Sequence, residues 1–326
     1  MNRKTLEHLI IHHRGTETQQ KAFLLLSPKT KILFLGLPFL LLAFVNSTVQ
    51  ATPASYLDID PAARPAGMGS AFTGLADDGN AALFNPAGLA TMGLNDFLAT
   101  GSVDLLSLDR LHNFASVSQQ LPPNSYLGFH IDQYGVNNIF GSDTNGSSTS
   151  NLNDTELDCG ASYAIDLGYH FKAGINAGFL YQNLTGTHAY GFDGVDLGVL
   201  VVPSTLYDLT LGACIHHLGG FLAWDTGTTQ NLNPDLRAGL SYKLFDQTVV
   251  VAYDAESTLQ GSFKIIHHAG AEVWFIKYFA VRGGIDNSNP TMGASFRYLN
   301  YGLDYAYEFE SNNLGDSQML SFDLIF

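Results

Sequence analysis

From residue 95 to the C-terminus the sequence alternates between apolar and polar residues, and this period of two constrains the fold more than any other feature. In "YGLDYAYEFE", Tyr301, Leu303, Tyr305, Tyr307 and Phe309 share one face, while Gly302, Asp304, Ala306, Glu308 and Glu310 share the other. In "PDLRAGLSYKL", Leu236, Ala238, Leu240, Tyr242 and Leu244 oppose Asp235, Arg237, Gly239, Ser241 and Lys243. Successive residues of a strand point to opposite faces, so such runs are strands with one greasy and one polar face. With turn residues as boundaries, the segments are roughly 95–104, 111–121, 125–134, 155–166, 169–181, 192–203, 207–217, 233–244, 247–255, 264–275, 278–286, 291–298, 300–310 and 317–326. The fourteen segments make an even number.

A sandwich and a membrane barrel share this alternation; the connections separate them. Those after even-numbered segments are tight ("PPN", Leu167–Gly168, "STL", "FD", "IK" and a single residue), whereas most after odd-numbered ones are longer, as at 135–154 and 218–232. One rim of short turns and one of longer loops is the pattern of an up-and-down barrel, and it puts both ends of the strand region on the short-turn side. Unpaired backbone cannot lie in hydrocarbon, so the strands must close. The expected fold is therefore all-β: a transmembrane antiparallel up-and-down β-barrel of about 14 strands with a small N-terminal plug. The chain ends on Phe326, in phase with Phe322 and Leu324, the terminal aromatic pattern that outer-membrane barrels present to the barrel assembly machinery. Outer-membrane lipids would meet the apolar face, with Tyr and Phe furnishing interfacial girdles and Trp224 and Trp274 among the candidates.

The N-terminus reads as an export signal. Lys29 and Lys31 precede the apolar run from Ile32 to Val45, too short for a comfortable spanning helix, and Val49 and Ala51 fit a small-residue cleavage site. The expected organisation is 1–28 as an extension from a mis-called start, 29–51 as signal peptide, 52–94 as plug and 95–326 as barrel. Removing residues 1–51 takes away six basic and two acidic residues and moves the net charge from −15 to −19, which makes nucleic acid a poor partner.

A fourteen-stranded barrel lies between eight strands, whose side chains fill the interior, and sixteen to eighteen, which leave an aqueous channel. Its lumen needs a plug or conducts. Segment 52–94 alone lacks strand periodicity, and 16 of its 43 residues are Gly or Ala, which suits backbone packed in a confined space. A short helix-compatible run follows Arg64 and Pro65. Asp77 or Asp78 caps a second turn through "GNAALF", Asn85 before Pro86 ends it, and Gly88 permits a reversal.

The stretch "ARPAGMGSAFTGLADDGNAALFNPAGLA", Ala63 to Ala90, resembles the N-terminal signature of the PorV/PorQ family, which is related to the FadL-type (OmpP1/FadL/TodX) outer-membrane transporters. "PDLRAGLSYKL", "HHAGAEVWFIKYFAVRGGID" and "LDYAYEF" extend the resemblance into the barrel. It implies a bacterial outer-membrane location, a fourteen-stranded barrel, and a hatch in which Arg64, Met68, Gly69, Asp77, Asp78, Asn85, Pro86, Ala87 and Gly88 have structural or gating roles. Two functions are open: a plugged channel for small hydrophobic molecules, as in FadL, or an accessory barrel docking secreted proteins in a type IX-like system, as in PorV. A structural barrel is a third. Phe72, Leu75, Leu83, Phe84 and Leu89 offer hydrophobic ligand contacts or form the plug's own core.

No nucleophile elbow or phosphate-cradling motif marks an enzyme, and no cofactor is expected. The pairs His216/His217 and His267/His268 alternate faces, so neither chelates through both rings, and no metal site is expected. Loop 141–156 lacks EF-hand spacing. Cys159 and Cys214 fall on opposite faces, which argues against a disulfide. Acidic lumen positions Asp104, Asp132, Asp196, Asp208, Asp304, Glu308 and Asp323, set against few basic residues, point to cation preference for any ion that passes.

Overall fold

The computed structural model describes residues 53–326 except 94–95, 143–144, 149, 204–205, 207, 261–263 and 310–314; the proposed extension and signal peptide lie outside the described residues. Among the described residues, sixteen strands follow an N-terminal segment of short turns. They are β1 (Phe97–Leu106), β2 (Arg110–Leu121), β3 (Ser125–Ile139), β4 (Leu152–Gly168), β5 (Phe171–Leu184), β6 (Thr187–Val201), β7 (Leu209–Leu218), β8 (Phe221–Trp224), β9 (Thr229–Asn231), β10 (Asp235–Leu244), β11 (Val249–Thr258), β12 (Ile266–Ile276), β13 (Phe279–Asp286), β14 (Asn289–Tyr298), β15 (Tyr301–Glu308) and β16 (Ser317–Ile325).

Every strand from β1 to β7 and from β10 to β16 pairs antiparallel with its neighbours, and β1 pairs with β16 from Leu98↔Ile325 to Leu106↔Ser317. These fourteen form a closed antiparallel barrel, so no edge is left unpaired. Each of the fourteen segments expected from the alternation is a strand. The two extra strands, β8 and β9, are a hairpin in the 219–234 connection; β8 pairs on to the far end of β6. Three-residue β9 is too short to leave a periodic signal.

Strands β3 to β6 run further toward the long-loop rim than the alternation suggests, which shrinks the fifth connection to a turn at Thr185 and Gly186, both at positive φ. The first and eleventh connections, 107–109 and 287–288, are tight as well, while the sixth spans 202–208. Loop sorting thus holds for the third, seventh, ninth and thirteenth connections. Asp208, expected on the lumen face, is an exposed rim residue in the sixth connection.

Outside, apolar side chains face the bilayer: Phe129, Ile131, Leu197, Tyr253, Leu303 and Phe322 are all exposed. Toward the short-turn rim, Phe279, Phe296 and Tyr298 stack across strands, and Tyr301 packs on Phe322. These are girdle aromatics. The tryptophans are not: Trp274 turns to the lumen mouth and donates to Glu272 Oε1 at 3.0 Å, and Trp224 sits in the β8–β9 hairpin and donates to Gln230 at 2.9 Å. Trp274 is in phase with the inward-facing His268 and Glu272 of the same strand and pairs in register with buried Ala280.

The core sits in the lumen. Met68, Ala71, Phe72, Leu75, Phe84 and Leu89 of the plug cluster with Tyr126, Ala164, Leu200, Val250 and Ala252 of the wall. The plug backbone laps around the inner wall, and inward-facing glycines mark its path. A Cβ on Gly270 or Gly284 would collide with Met68, on Gly212 with Thr73, and on Gly174 with Pro86 and Ala87. Gly270→Ala and Gly174→Ala are therefore expected to destabilise the plugged barrel by about 1–3 kcal/mol. Gly101→Ala, with nothing within 4 Å of its Cβ, is expected to be neutral. The temperature at which the folded gel band is lost reads the difference.

Candidate functional site

The plug enters near the long-loop rim, where Tyr56 of a 3-10 turn (Ser55–Asp58) packs with Leu106 and Tyr134. It then forms helix α1 (Ala63–Gly67), with Pro65 in its first turn where the missing N–H is no loss. Helix α2 (Ala81–Phe84) follows, and a 3-10 turn (Pro86–Thr91) leads to β1. Asp78 organises the entry to α2 by accepting at Oδ1 from the Asn80 backbone N–H at 2.9 Å, while the N-cap position itself is Asn80, whose side chain makes no cap bond.

Asn85 does three things from a fully buried site. Its extended backbone suits the position before proline, its Oδ1 accepts from Ala87 N–H at 3.2 Å, and its Nδ2 donates to Thr73 O and Val199 O, each at 3.0 Å. It thereby joins two plug turns to β6. Gly88 does not adopt a left-handed reversal; it is required because a Cβ there would overlap Ala76 O. Gly69 is the left-handed residue, at φ 62, after α1.

Charge fastens the plug. Arg64, 11% exposed, donates from Nη1 to Asp77 Oδ1 at 2.6 Å and Asp78 Oδ2 at 2.7 Å, and from Nε and Nη2 to the wall's Glu272 at 3.3 Å. Lys243 reaches Asp77 Oδ2 at 3.2 Å. Arg282 bridges Glu272 and Asp304, each at 2.8 Å, and Arg297 bridges Asp304 at 2.6 Å and Asp323 at 3.0 Å. A second anchor is Asp254, whose Oδ2 accepts from the backbone N–H groups of Phe72 and Thr73 at 2.9 and 2.8 Å and pairs with Arg237. Arg237 also donates to Ser70 O.

The hatch residues named from sequence thus meet along one path. Arg64 pairs with Asp77 and Asp78, Met68 and Gly69 press on Gly270 and Gly284, Asn85 to Ala87 press on Gly198 and Gly174, and Gly88 lies against Ala76 and Ala81 within the plug. Their partners Glu272, Arg282, Lys243, Asp254 and Arg237 escaped sequence reasoning. The signal was there in single charges on the inward phase of "LRAGLSYKL", "AEVW" and "VRGG".

Basic residues therefore balance much of the acid on β10 to β16, while across β2 to β7 histidines stand in that place. His112 meets Asp132 at 2.6 Å, His130 meets Asp158 at 2.7 Å, and His217 meets Asp193 at 2.8 Å. The lumen is less one-sidedly acidic than its carboxylates alone imply. His217, expected on the lipid face, departs from strand phase; a backbone φ of 58 turns it inward beside His216. Cys159 and Cys214 are both free.

Two cavities border this architecture. One, about 210 Å³, opens at the short-turn rim between Arg64, Asp77, Asp78, Trp274, Arg297 and Asp323. The other is a groove of about 480 Å³ in the outer wall across β3 to β6, floored by Cys159, Ala161 and Ala177 between Phe129, Ile131 and Phe179. Phe72, Leu75, Phe84 and Leu89, with Leu83 at the edge, pack into the plug's own core.

No protein-family model matches the sequence, and no curated protein matches it. Solved structures do match. The toluene transporter TbuX of Ralstonia pickettii aligns with a TM-score of 0.58 at 15% identity, covering 81% of this chain and 97% of TbuX. The monoaromatic hydrocarbon channel CymD aligns with a TM-score of 0.56 at 13% identity, covering 84% and 98%. A Pseudomonas aeruginosa FadL homologue aligns with a TM-score of 0.53 at 11% identity, covering 82% and 98%. At these identities the likeness is one of fold, and it falls on the FadL side of the resemblance seen in the sequence. The PorV/PorQ subfamily draws no support from it.

Burial works to raise the Asp77 carboxyl, but Arg64 and Lys243 outweigh it and hold the group below its ordinary 3.8. A carboxyl held low in the folded state contributes stability that is complete above its unfolded value and is lost as pH falls through the folded one. The plug is expected to stay latched down to about pH 4 and to loosen below it, read as pepsin cleavage between Phe72 and Leu89 in detergent. Arg64→Ala strands buried carboxylates at a cost of about 3–5 kcal/mol, so cleavage is expected already at pH 4.

Proposed function

We propose that this chain is an outer-membrane channel for small hydrophobic molecules, closed at rest by residues 53–93 and opened by displacement of that plug. One observation carries the reading: the plug is fastened to the wall by side-chain ion pairs and backbone-to-carboxylate bonds rather than by strand pairing. Such contacts can be exchanged for water or a ligand without breaking the barrel ladder, whose backbone bonds have no substitute in the bilayer. The fold shared with TbuX, CymD and the Pseudomonas aeruginosa FadL homologue supports a hydrophobic cargo.

The apolar cluster of Phe72, Leu75, Leu83, Phe84 and Leu89 is then the surface a cargo meets once the plug shifts. Arg64, Asp77 and Asp78 are the gating residues, and the Asn85 to Gly88 turn is the hinge side, held to β6. Phe322 and Leu324, on the strand that closes the barrel against β1, and Phe326 just beyond it are the assembly signal.

The test uses the protein in proteoliposomes with a radiolabelled monoaromatic hydrocarbon and, in parallel, planar-bilayer conductance. The wild type is expected to conduct little and to take up label; deletion of 53–93 is expected to raise conductance at least tenfold. Arg64→Ala is expected to lie between them. If all three are folded barrels yet none takes up label or conducts, the channel reading falls.

A further inference from the structure

Strand alternation should throw His216 and His217 to opposite faces, and the structure does the reverse because two neighbouring strands bulge at the same height. On β7, His217 adopts φ 58, and the pairing with β6 slips between Val195↔Leu218 and Leu197↔Ile215. On β6, Gly194 adopts φ 107, and the pairing with β5 slips between Gly178 and Phe179. Bulges of this kind re-aim side chains, and here they bring Asp193 and His217 to Asp196, which keeps its regular inward phase.

The Asp193, Asp196 and His217 ligand atoms all lie within 4.8 Å of one another on the lumen side. Asp193 and Asp196 are each 3% exposed. His217 Nδ1 is 2.8 Å from Asp193 Oδ1, and the His217 backbone N–H donates to Asp196 Oδ1 at 2.9 Å. Asn176 Nδ2 fixes the other Asp196 oxygen at 2.9 Å, and His216 Nδ1 stands 3.8 Å from it. Across Gly178, Asp158 Oδ1 is buried beside Asp193 with no hydrogen-bond partner.

We propose that Asp193, Asp196 and His217 form a binding site for a divalent transition-metal ion of the zinc class. Two carboxylate oxygens and one imidazole nitrogen are a zinc donor set with a fourth position open. Calcium would ask for six to eight oxygens instead. The backbone contacts to Asp196 and the Asn176 amide are the outer bonds that orient a ligating carboxylate. Bound metal would tie β6 to the end of β7, where the chain turns at Gly219 and Gly220 into the β8–β9 hairpin, and so fix that hairpin at the long-loop mouth. This site is independent of the transport reading.

The full chain, purified through a tag without histidines and stripped with chelator, is titrated with Co2+ followed by visible absorption, then with Zn2+ in competition. One equivalent per chain is expected, displaced by Zn2+, with affinity falling at least tenfold in His217→Gln and in Asp193→Asn. His188→Gln, on the outer face against Tyr181, is expected to bind as the wild type does. Zn2+ is also expected to protect His217 of the wild-type protein from diethyl pyrocarbonate, mapped by mass spectrometry, a readout that needs no variant to fold. A wild type that binds no Co2+ below millimolar concentration, or His217 modification unchanged by Zn2+, overturns the site and leaves a histidine–aspartate hydrogen bond.

Discussion

The buried guanidinium of Arg64 is the interaction on which the rest of this structure depends. It holds Asp77 and Asp78 of its own segment on one side and the wall's Glu272 on the other, with Arg282 backing Glu272. A charge in a confined lumen is tolerated only when paired and hydrogen-bonded. Arg64 therefore folds the plug upon itself and fastens it to the barrel in one stroke. Fourteen strands make this necessary, since a barrel of that size encloses more room than its own side chains fill.

The wall is built to receive the plug. Where strands would carry inward side chains they carry glycine, so plug backbone lies almost against strand backbone at Gly174, Gly212, Gly270 and Gly284. Polar wall groups then have plug groups as partners, as when Asp254 takes two backbone N–H bonds and Ser241 Oγ donates to Gly74 O at 2.9 Å. Barrel and plug thus satisfy many of each other's buried polar groups, which lowers the cost of burying the interface. Each of these bonds also has a counterpart in water, which is what the proposed displacement of the plug requires.

Much of this was legible in the sequence. A strict period of two placed all fourteen barrel strands, because one face meets lipid and the other does not, and "FNPAG" marked a turn held by Asn85. What escaped notice shares a physical cause: it depends on where the period breaks. The bulges at Gly194 and His217 turn side chains against the phase that alternation gives them, and no local sequence pattern distinguishes a bulge from one more alternating residue. The sequence suggests a conformational need at Gly88, and the need is spatial, which only the neighbour Ala76 reveals. The wall partner of Arg64, Glu272, lies more than two hundred residues away, and one sequence carries no record of that pairing.

The most direct measurement of the central claim is hydrogen exchange by mass spectrometry on the wild-type protein in lipid nanodiscs. The plug is expected to exchange as one cooperative unit: peptides within 61–91 protected together at neutral pH, more slowly exchanging than the long loops and faster than the barrel strands, in keeping with bonds that open without unfolding the ladder. Exchange across 61–91 at the rate of an unstructured peptide would contradict a plug latched in the lumen.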